Sequence, residues 1–381
     1  MEEVLYRKYR PLTFDEVRGQ EHIVRALKNQ VISGRLNHAY LFSGIRGTGK
    51  TTVARILARA INCEHPVNGN PCNKCDNCKA ILKNESMNVM EWDAAVSGRI
   101  DNIRDIEQII TARPIHGYYR VFILDETQFM QRYARNALLK TLEEPPEWIV
   151  FILSTTEPEL FEQTILSRCQ KYEFKRMDQN TIIDQLQDVL RKEARSIDER
   201  GLTHIASVSE GSMRDALSLL NTVLSYNTSI DIDYNQTLRA LEISDKTACD
   251  TLIQNMYDHN LGKAMGVTNA ILASGISEEQ LIADILQYLR DLFMIKNDDV
   301  AGVVATDDQK QKMISTANRM DIDRIINMMV PFHDVLKEIR FLNSKRTTLE
   351  IAIVQASSSD DSEKYQEIER RLTRLEETLL P

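Results

Sequence analysis

Gly44-Ile45-Arg46-Gly47-Thr48-Gly49-Lys50-Thr51 decides how the first half of this chain is read. It follows the apolar run Ala39-Tyr40-Leu41-Phe42 and opens a stretch, residues 51–61, with helical spacing. Strand, glycine-rich turn, helix is the setting in which backbone N–H groups turn inward around a phosphate. In such a loop Gly44, Gly47, Thr48 and Gly49 form the cradle. Lys50 adds a point charge for the β- and γ-phosphates, the Thr51 hydroxyl is a ligand for Mg²⁺, and Thr52 follows beside the phosphates. The pattern predicts ATP with Mg²⁺ as cofactors.

Working outward, Val121-Phe122-Ile123-Leu124-Asp125-Glu126 supplies the second half of that site. Four apolar residues make a buried strand, and two carboxylates stand where it emerges. Asp125 suits Mg²⁺, and Glu126 suits orienting and deprotonating an attacking water. Neighbouring carboxylates on a strand point to opposite faces. The strand must therefore end at or near Asp125 if both are to serve one site.

Two further runs, Val89-Met90-Glu91-Trp92 and Ile149-Val150-Phe151-Ile152-Leu153, also read as strands, with helical spacing at 100–111 and 132–143. The second helix ends at Pro145-Pro146, where backbone donors run out. The alternation predicts an α/β fold on a parallel sheet. From Asp178 the pattern turns helical, with Ile182, Leu186, Val189 and Leu190 on one face and Leu217, Leu220 and Leu224 on another. The expected organisation is a nucleotide-binding domain over 1–177, a helical lid over 178–225 and a helical domain over 226–356. A joint and short amphipathic helix would occupy 357–381. That tail, with Tyr365, Ile368, Leu372, Leu375 and Leu379 in alternating three- and four-residue steps, reads equally as a short coiled coil or as an amphipathic segment docked on its own domain.

The chain has 381 residues, 43% of them hydrophobic and 27% charged, which is ordinary for a folded protein of two or three domains. Its net charge of −9 argues against an outer surface coated for gripping DNA, while leaving room for a local basic strip. No run of eighteen apolar residues exists and the N-terminus lacks a secretion signal, so a cytoplasmic protein is expected. Cys63, Cys72, Cys75 and Cys78 lie within sixteen residues, while Cys169 and Cys249 stand apart. In a cytosolic chain such a cluster reads as a closed, structural Zn²⁺ site, here over 63–80. Asn68-Gly69-Asn70-Pro71 within it is turn chemistry that packs no core of its own.

Several segments resemble the clamp-loader ATPases of the AAA+ class. Tyr9-Arg10-Pro11 with Phe14-Asp15-Glu16-Val17 and Gly19-Gln20-Glu21 is similar to that family's N-terminal signature, which lies beside the adenine. Ala137-Leu138-Leu139-Lys140-Thr141-Leu142-Glu143-Glu144-Pro145-Pro146 is similar to another. Ser154-Thr155-Thr156-Glu157-Pro158 looks like the sensor-1 strand end, with Thr156 as the sensor. Ser167-Arg168-Cys169 resembles the arginine motif that serves a neighbouring subunit in trans. Gly211-Ser212-Met213-Arg214-Asp215 resembles sensor 2, with Arg214 reaching the nucleotide from the lid. The cysteine insert points to the bacterial DNA polymerase III branch of the family.

The resemblance is dense from about residue 3 to 225. It departs at Ala94-Ala95-Val96-Ser97-Gly98-Arg99 and at Thr127-Gln128-Phe129-Met130, where the family usually has a small residue and His after its Asp-Glu. It implies a replication motor that hydrolyses ATP to open a sliding clamp and place it on primer–template DNA. Its partners would be delta- and delta-prime-type subunits and further copies of itself. Nothing after residue 356 is large enough for the extra domains of the family's long form, so either a short, gamma-like form or a truncated piece of the long one is expected. The rival readings are a branch-migration helicase motor, which has no use for the cysteine insert, and a catalytically silent scaffold subunit, which would lose the phosphate-binding lysine. Arg99, Arg104 and Lys140 are candidate DNA contacts by their nearness in sequence to the nucleotide residues.

Overall fold

The computed structural model describes residues 3–97, 113–114, 117–131, 135, 141–241, 246–298, 303, 307–339 and 344–358. The expected helix at 100–111, most of that at 132–143, the cations Arg99, Arg104 and Lys140, and the tail beyond residue 358 lie outside the described residues.

A five-stranded sheet organises the first part of the chain. Its strands are β1 (Ala39–Gly44), β2 (Val89–Asp93), β3 (Arg120–Asp125), β4 (Ile149–Thr155) and β5 (Gln170–Phe174), in the order β2-β3-β4-β1-β5. Every pairing is parallel, which demands helical crossovers and buries both faces. The central strands are near-continuous apolar runs for that reason, and β4 is buried at every position. Alternate residues serve opposite faces. Tyr40, Phe42, Ile123 and Ile152 pack with the helices α1 (Glu21–Ser33) and α2 (Lys50–Ile61), while Leu41, Phe122, Leu124, Phe151 and Leu153 pack on the other side with Phe161 and Ile165. On that second face Trp92, Phe122 and Phe151 stack across three adjacent strands at centroid spacings of 5.6 and 5.2 Å. The two fully buried phenylalanine rings contribute about 1.5–3 kcal/mol each, and half-buried Trp92 less.

Strand β5 is absent from the sequence-based expectation. Gln170-Lys171-Tyr172-Glu173-Phe174 has no apolar run, because an edge strand needs only every second side chain inside. Tyr172 and Phe174 are buried, and Lys171 and Glu173 face water.

The described residues of 1–194 and 205–221 form one compact unit, and those of 195–204 and 222–358 another. The first unit carries, beyond the sheet, the helix α3 (Asp76–Leu82) and the helix α4 (Gln179–Lys192), whose N-terminus is capped by Asp178 accepting from the Thr181 N–H at 2.9 Å. A cap of that kind stabilises a helix by about 1 kcal/mol. Helix α5 (Met213–Tyr226) starts in this unit.

In the second unit, helices Lys246–Tyr257, Leu261–Ala273, Glu278–Lys296, Asp307–Arg319, Ile322–Glu338 and Lys345–Ser357 enclose one apolar cluster. A buried polar knot sits inside it. Tyr288 Oη and Thr316 Oγ1 donate to Asp250 Oδ1 at 2.7 and 2.8 Å, and Gln254 Nε2 donates to Asp250 Oδ2 at 2.9 Å. Among the described residues no helix is long and apolar enough to cross a membrane.

Candidate nucleotide site and cysteine centre

Strand order places the candidate chemistry. β4 lies between β1 and β3, and all three run parallel. Gly44, Thr155 and Asp125 therefore leave the sheet at the same edge, the carboxyl-terminal edge where open parallel sheets bind ligands.

The loop 44–49 runs from β1 into α2 with positive φ at Gly44 (137°), Gly47 (81°) and Gly49 (103°). Two of these have a second reason to be glycine. A Cβ on Gly44 would stand 2.3 Å from the Phe174 carbonyl oxygen, and one on Gly47 would stand 1.9 Å from Ser212 Oγ and 3.2 Å from Arg214 Cβ. Sheet edge and lid helix thus both press against the loop.

Lys50 is 7% exposed, and its Nζ donates to the Gly44 and Ile45 carbonyls at 2.7 and 2.8 Å. Burial pulls its pKa down, against the attraction of Glu126 and Asp125. Thr51 Oγ1 donates to Asp125 Oδ2 at 2.5 Å, and Thr48 Oγ1 to the Ile45 carbonyl at 2.9 Å. Burial raises the Asp125 carboxyl, with the Thr51 hydroxyl and the Glu126 N–H pulling the other way. A hydroxyl and a carboxylate in contact form a hard-oxygen pair that fits Mg²⁺.

β3 ends at Asp125, and Glu126 takes the left-handed conformation, φ 51° and ψ 42°. That turn carries Glu126 off the strand, so both carboxylates line the same cavity as Gly47, Lys50 and Thr51. The local geometry removes the conflict that strand alternation would impose. Gln128 Nε2 donates to Glu126 Oε2 at 2.6 Å, and Gln128 Oε1 accepts from Thr155 Oγ1 and the Thr156 N–H at 3.3 and 3.4 Å. Thr156 itself does not line the cavity; Gln128 stands between it and the carboxylate.

Tyr6, Tyr9, Arg10, Pro11, Thr52 and Arg214 are also among the residues that line the cavity. Tyr9 Oη donates to Glu193 Oε1 at 2.6 Å, and Lys8 Nζ reaches the same oxygen at 2.7 Å, so the N-terminal segment is tied to the end of α4. The Arg214 guanidinium lies 5.1 Å from the centroid of the Tyr6 ring. Tyr6 and Gln128 were not singled out from sequence. Tyr6 carried a weak signal, one more aromatic in an aromatic-basic run, and Gln128 carried one in lying where the family pattern breaks.

Arg168 is elsewhere. It sits two residues before β5 begins, at the amino-terminal edge of a sheet roughly 16 Å deep. Its Nη2 pairs with Glu143 at 2.8 Å and its Nη1 donates to the Thr164 carbonyl at 2.6 Å, in a half-exposed pair of the kind that contributes at most about 1 kcal/mol.

The cysteines form a separate centre. The Sγ atoms of Cys63, Cys72, Cys75 and Cys78 all lie within 4.8 Å of one another. A tetrahedron of about 2.3 Å Zn–S bonds needs sulfurs about 3.8 Å apart, so the cluster fits zinc with little movement. Backbone N–H groups point at the sulfurs: Cys72 to Cys63 at 3.2 Å, Cys75 to Cys72 at 3.3 Å, and Cys78 to Cys75 at 3.4 Å. Burial opposes ionisation of Cys72, yet the N–H groups of Lys74 and Cys75 win and bring its thiol down to about 6. Burial pushes Cys63 and Cys78 up. Bound to a cation, the four sulfurs would be thiolates, and such a donor set suits a soft metal.

This centre also holds the segment that leads from Pro11. Asn70 Oδ1 accepts the Phe14 N–H at 2.9 Å, Asn70 Nδ2 donates to Asp15 at 2.7 Å, and Asn73 Nδ2 donates to the Leu12 carbonyl at 3.1 Å.

Comparison with known proteins agrees with this geometry. A family model described as DNA polymerase III delta subunit matches residues 19–178, and one described as the DNA polymerase III clamp loader subunit ATPase lid domain matches residues 181–227. DNA polymerase III subunit tau of Bacillus subtilis is 36% identical over 392 residues, spanning 99% of this chain and 69% of that protein. The Escherichia coli tau subunit is 34% identical, spanning 93% of this chain and 55% of that protein. The RuvB Holliday junction branch migration motor of Thermotoga maritima is 20% identical at a TM-score of 0.47, covering 71% of this chain and 86% of that one, a likeness too loose to argue from. Identity above 30% across nearly the whole chain, on a parallel-sheet domain followed by a matched clamp-loader ATPase lid, settles the kinship: the chain belongs to the DNA polymerase III tau/gamma family of clamp-loader subunits.

Proposed function

We propose that this chain is the ATP-driven motor subunit of a clamp loader, binding and hydrolysing ATP to open a sliding clamp and load it onto primer–template DNA in the cytoplasm. The observation that carries the reading is the meeting, at one sheet edge, of Lys50, the Thr51–Asp125 contact at 2.5 Å and a Glu126 turned off its strand.

In this reading Tyr9, Arg10 and Pro11 receive the base, and the N–H groups of residues 44–51 receive the phosphates. Lys50 exchanges its two carbonyl partners for phosphate oxygens, and that charge offsets the burial that depresses its pKa. Thr51 and Asp125 would hold Mg²⁺, which would supply charge neutralisation at the phosphates. Glu126 orients a water and takes its proton as the water attacks the γ-phosphorus in line with the departing β–γ bridging oxygen. Arg214 reaches the γ-phosphate from the lid helix. Arg168, at the opposite sheet edge, serves a neighbouring copy, where a planar guanidinium meets charge developing on the phosphoryl oxygens. The cysteine centre would hold one Zn²⁺ with every ligand position filled by protein, a structural role.

The family implies delta- and delta-prime-type subunits, further copies of this chain, the clamp and DNA as partners. The test is ATP turnover measured alone, with the cognate clamp, with primed DNA and with both. Joint stimulation greater than either alone is expected. Turnover indifferent to the clamp, or ATP-driven strand movement without it, would overturn the reading.

A further inference from the structure

Gln128 stands behind the cradle, bonded to Glu126, in a position that no role above accounts for. Its amide faces two groups of opposite demand. The Glu126 carboxylate can only accept and takes a hydrogen bond from Nε2 at 2.6 Å, while the Thr156 N–H can only donate and gives one to Oε1 at 3.4 Å, with Thr155 Oγ1 beside it at 3.3 Å. Those demands fix which end of the amide points where. The same turn, Thr127–Phe129, is fastened to β4 a second time by Thr127, which is fully buried and donates from Oγ1 to the Ser154 carbonyl at 2.9 Å.

We propose that Gln128 is a positioning residue for ATP hydrolysis: its amide couples the Glu126 carboxylate to the end of β4 at Thr155 and Thr156. The inference rests on the reading of Glu126 as the water-activating base. Glu126 stands on a single left-handed residue just past its strand, so little of its own backbone restrains the carboxylate. With Oε2 held by Gln128, Oε1 is the oxygen presented to water. Because β4 lies between β1 and β3, its end sits between the phosphate loop and the carboxylate pair. Movement of the β4 end at Thr155 and Thr156 is therefore handed to Glu126 through one side chain, and the base is aligned when the strand end is in place.

Two substitutions separate positioning from packing. Gln128→Met keeps the length and loses the amide. In the assembled complex it should lower kcat about tenfold or more, as expected when a reacting group loses its orientation, with nucleotide affinity within about threefold of wild type. Gln128→Glu removes the donor at neutral pH and sets a like charge beside Glu126. Glu126 contacts that position directly; Asp125 accepts the Glu126 N–H, Lys50 interacts with both of those carboxylates, and Glu157 follows the β4 end that Gln128 bonds. This variant should be slower than Gln128→Met near pH 8 and gain on it as pH falls, because the introduced carboxyl, once protonated, can donate to Glu126 and accept from Thr156.

Wild-type kcat in Gln128→Met overturns the proposal, as does loss of kcat and affinity in equal measure with no acid recovery in Gln128→Glu. Glu126→Gln, run alongside, tells the two readings apart. If it is inactive while Gln128→Met is normal, only the coupling fails; if it hydrolyses ATP at the wild-type rate, the assignment of the base fails and the coupling with it.

Discussion

The cysteine centre and the nucleotide cradle are built by opposite means. Four cysteines within sixteen residues bring their sulfurs within 4.8 Å, and the N–H groups that meet them come from the same short stretch. The cradle gathers Thr51 and Asp125 from 74 residues apart, Gln128 and Thr155 from 27, and a lid arginine from beyond residue 210. A centre made by local chain is rigid once its metal binds and has no position left for chemistry. A centre made by strand ends stays open at the sheet edge, where a substrate can enter and a neighbouring copy can add a group. The two meet at residues 12–15, held by Asn70 and Asn73 and continuous with Pro11.

The contrast breaks or sharpens first at Arg168, the most remote contributor. Arg168→Ala should bind ATP as the wild-type chain does when alone and lose about 10³–10⁵ in hydrolysis within the assembly. Mixed assemblies with Lys50→Ala should regain some turnover, because each variant supplies what the other lacks. Mixtures shown to co-assemble that stay inactive would refute a finger acting in trans.

Next come the residues of the cradle itself. Glu126→Gln should slow hydrolysis about 10²–10⁴-fold with nucleotide still bound, whereas Lys50→Ala should lose both, since Lys50 contacts phosphates already in the ground state. Equilibrium binding beside single-turnover hydrolysis separates the two patterns. Equal loss of binding in both variants would mean that Glu126 supports the bound nucleotide rather than the water.

Zinc removal should have a smaller effect that crosses between the two centres. Elemental analysis should find one zinc per chain, and a value under about one half would sink the zinc assignment. Chelation should expose residues 63–80 to proteolysis and weaken nucleotide binding about five- to tenfold, the scale of one or two hydrogen bonds lost from the segment beyond Pro11. Unchanged affinity after complete chelation would show that the centres are independent.

The smallest effect belongs to the tie between the N-terminal segment and α4. Hydrogen bonds from Lys8 and Tyr9 hold the Glu193 carboxyl below its ordinary value of 4.5. A depressed carboxyl stabilises the fold fully above its unfolded pKa and loses that contribution as pH falls through the folded one. Glu193→Gln should therefore cost at most about 1 kcal/mol at neutral pH, with the gap from wild type closing in acid below about pH 4. A gap that is constant with pH would assign the loss to packing instead of charge.

Much of both centres was legible in the sequence, for different reasons. Gly44 to Thr51 announces a phosphate loop because φ near 80–140° and backbone crowding leave few residue types able to stand there. The cysteine spacing announces a metal because soft ligands so close in sequence are close in space whatever the rest of the chain does. Apolar runs marked β1, β3 and β4 because burial on both faces leaves little room for polar residues, the edge strand β2 showed through Val89, Met90 and Trp92, and the edge strand β5 hid behind Lys171 and Glu173. Residue types alone determined four of the strands, the loop, the carboxylate pair and the four thiols. Only the tertiary structure decided the order β2-β3-β4-β1-β5, which sets the end of β4 between loop and carboxylates and sends Arg168 to the far edge, and the left-handed turn that brings Glu126 to Asp125's side. The physical reason is that hydrogen-bonded strands choose neighbours by packing across the whole sheet, and no local stretch of chain carries that information.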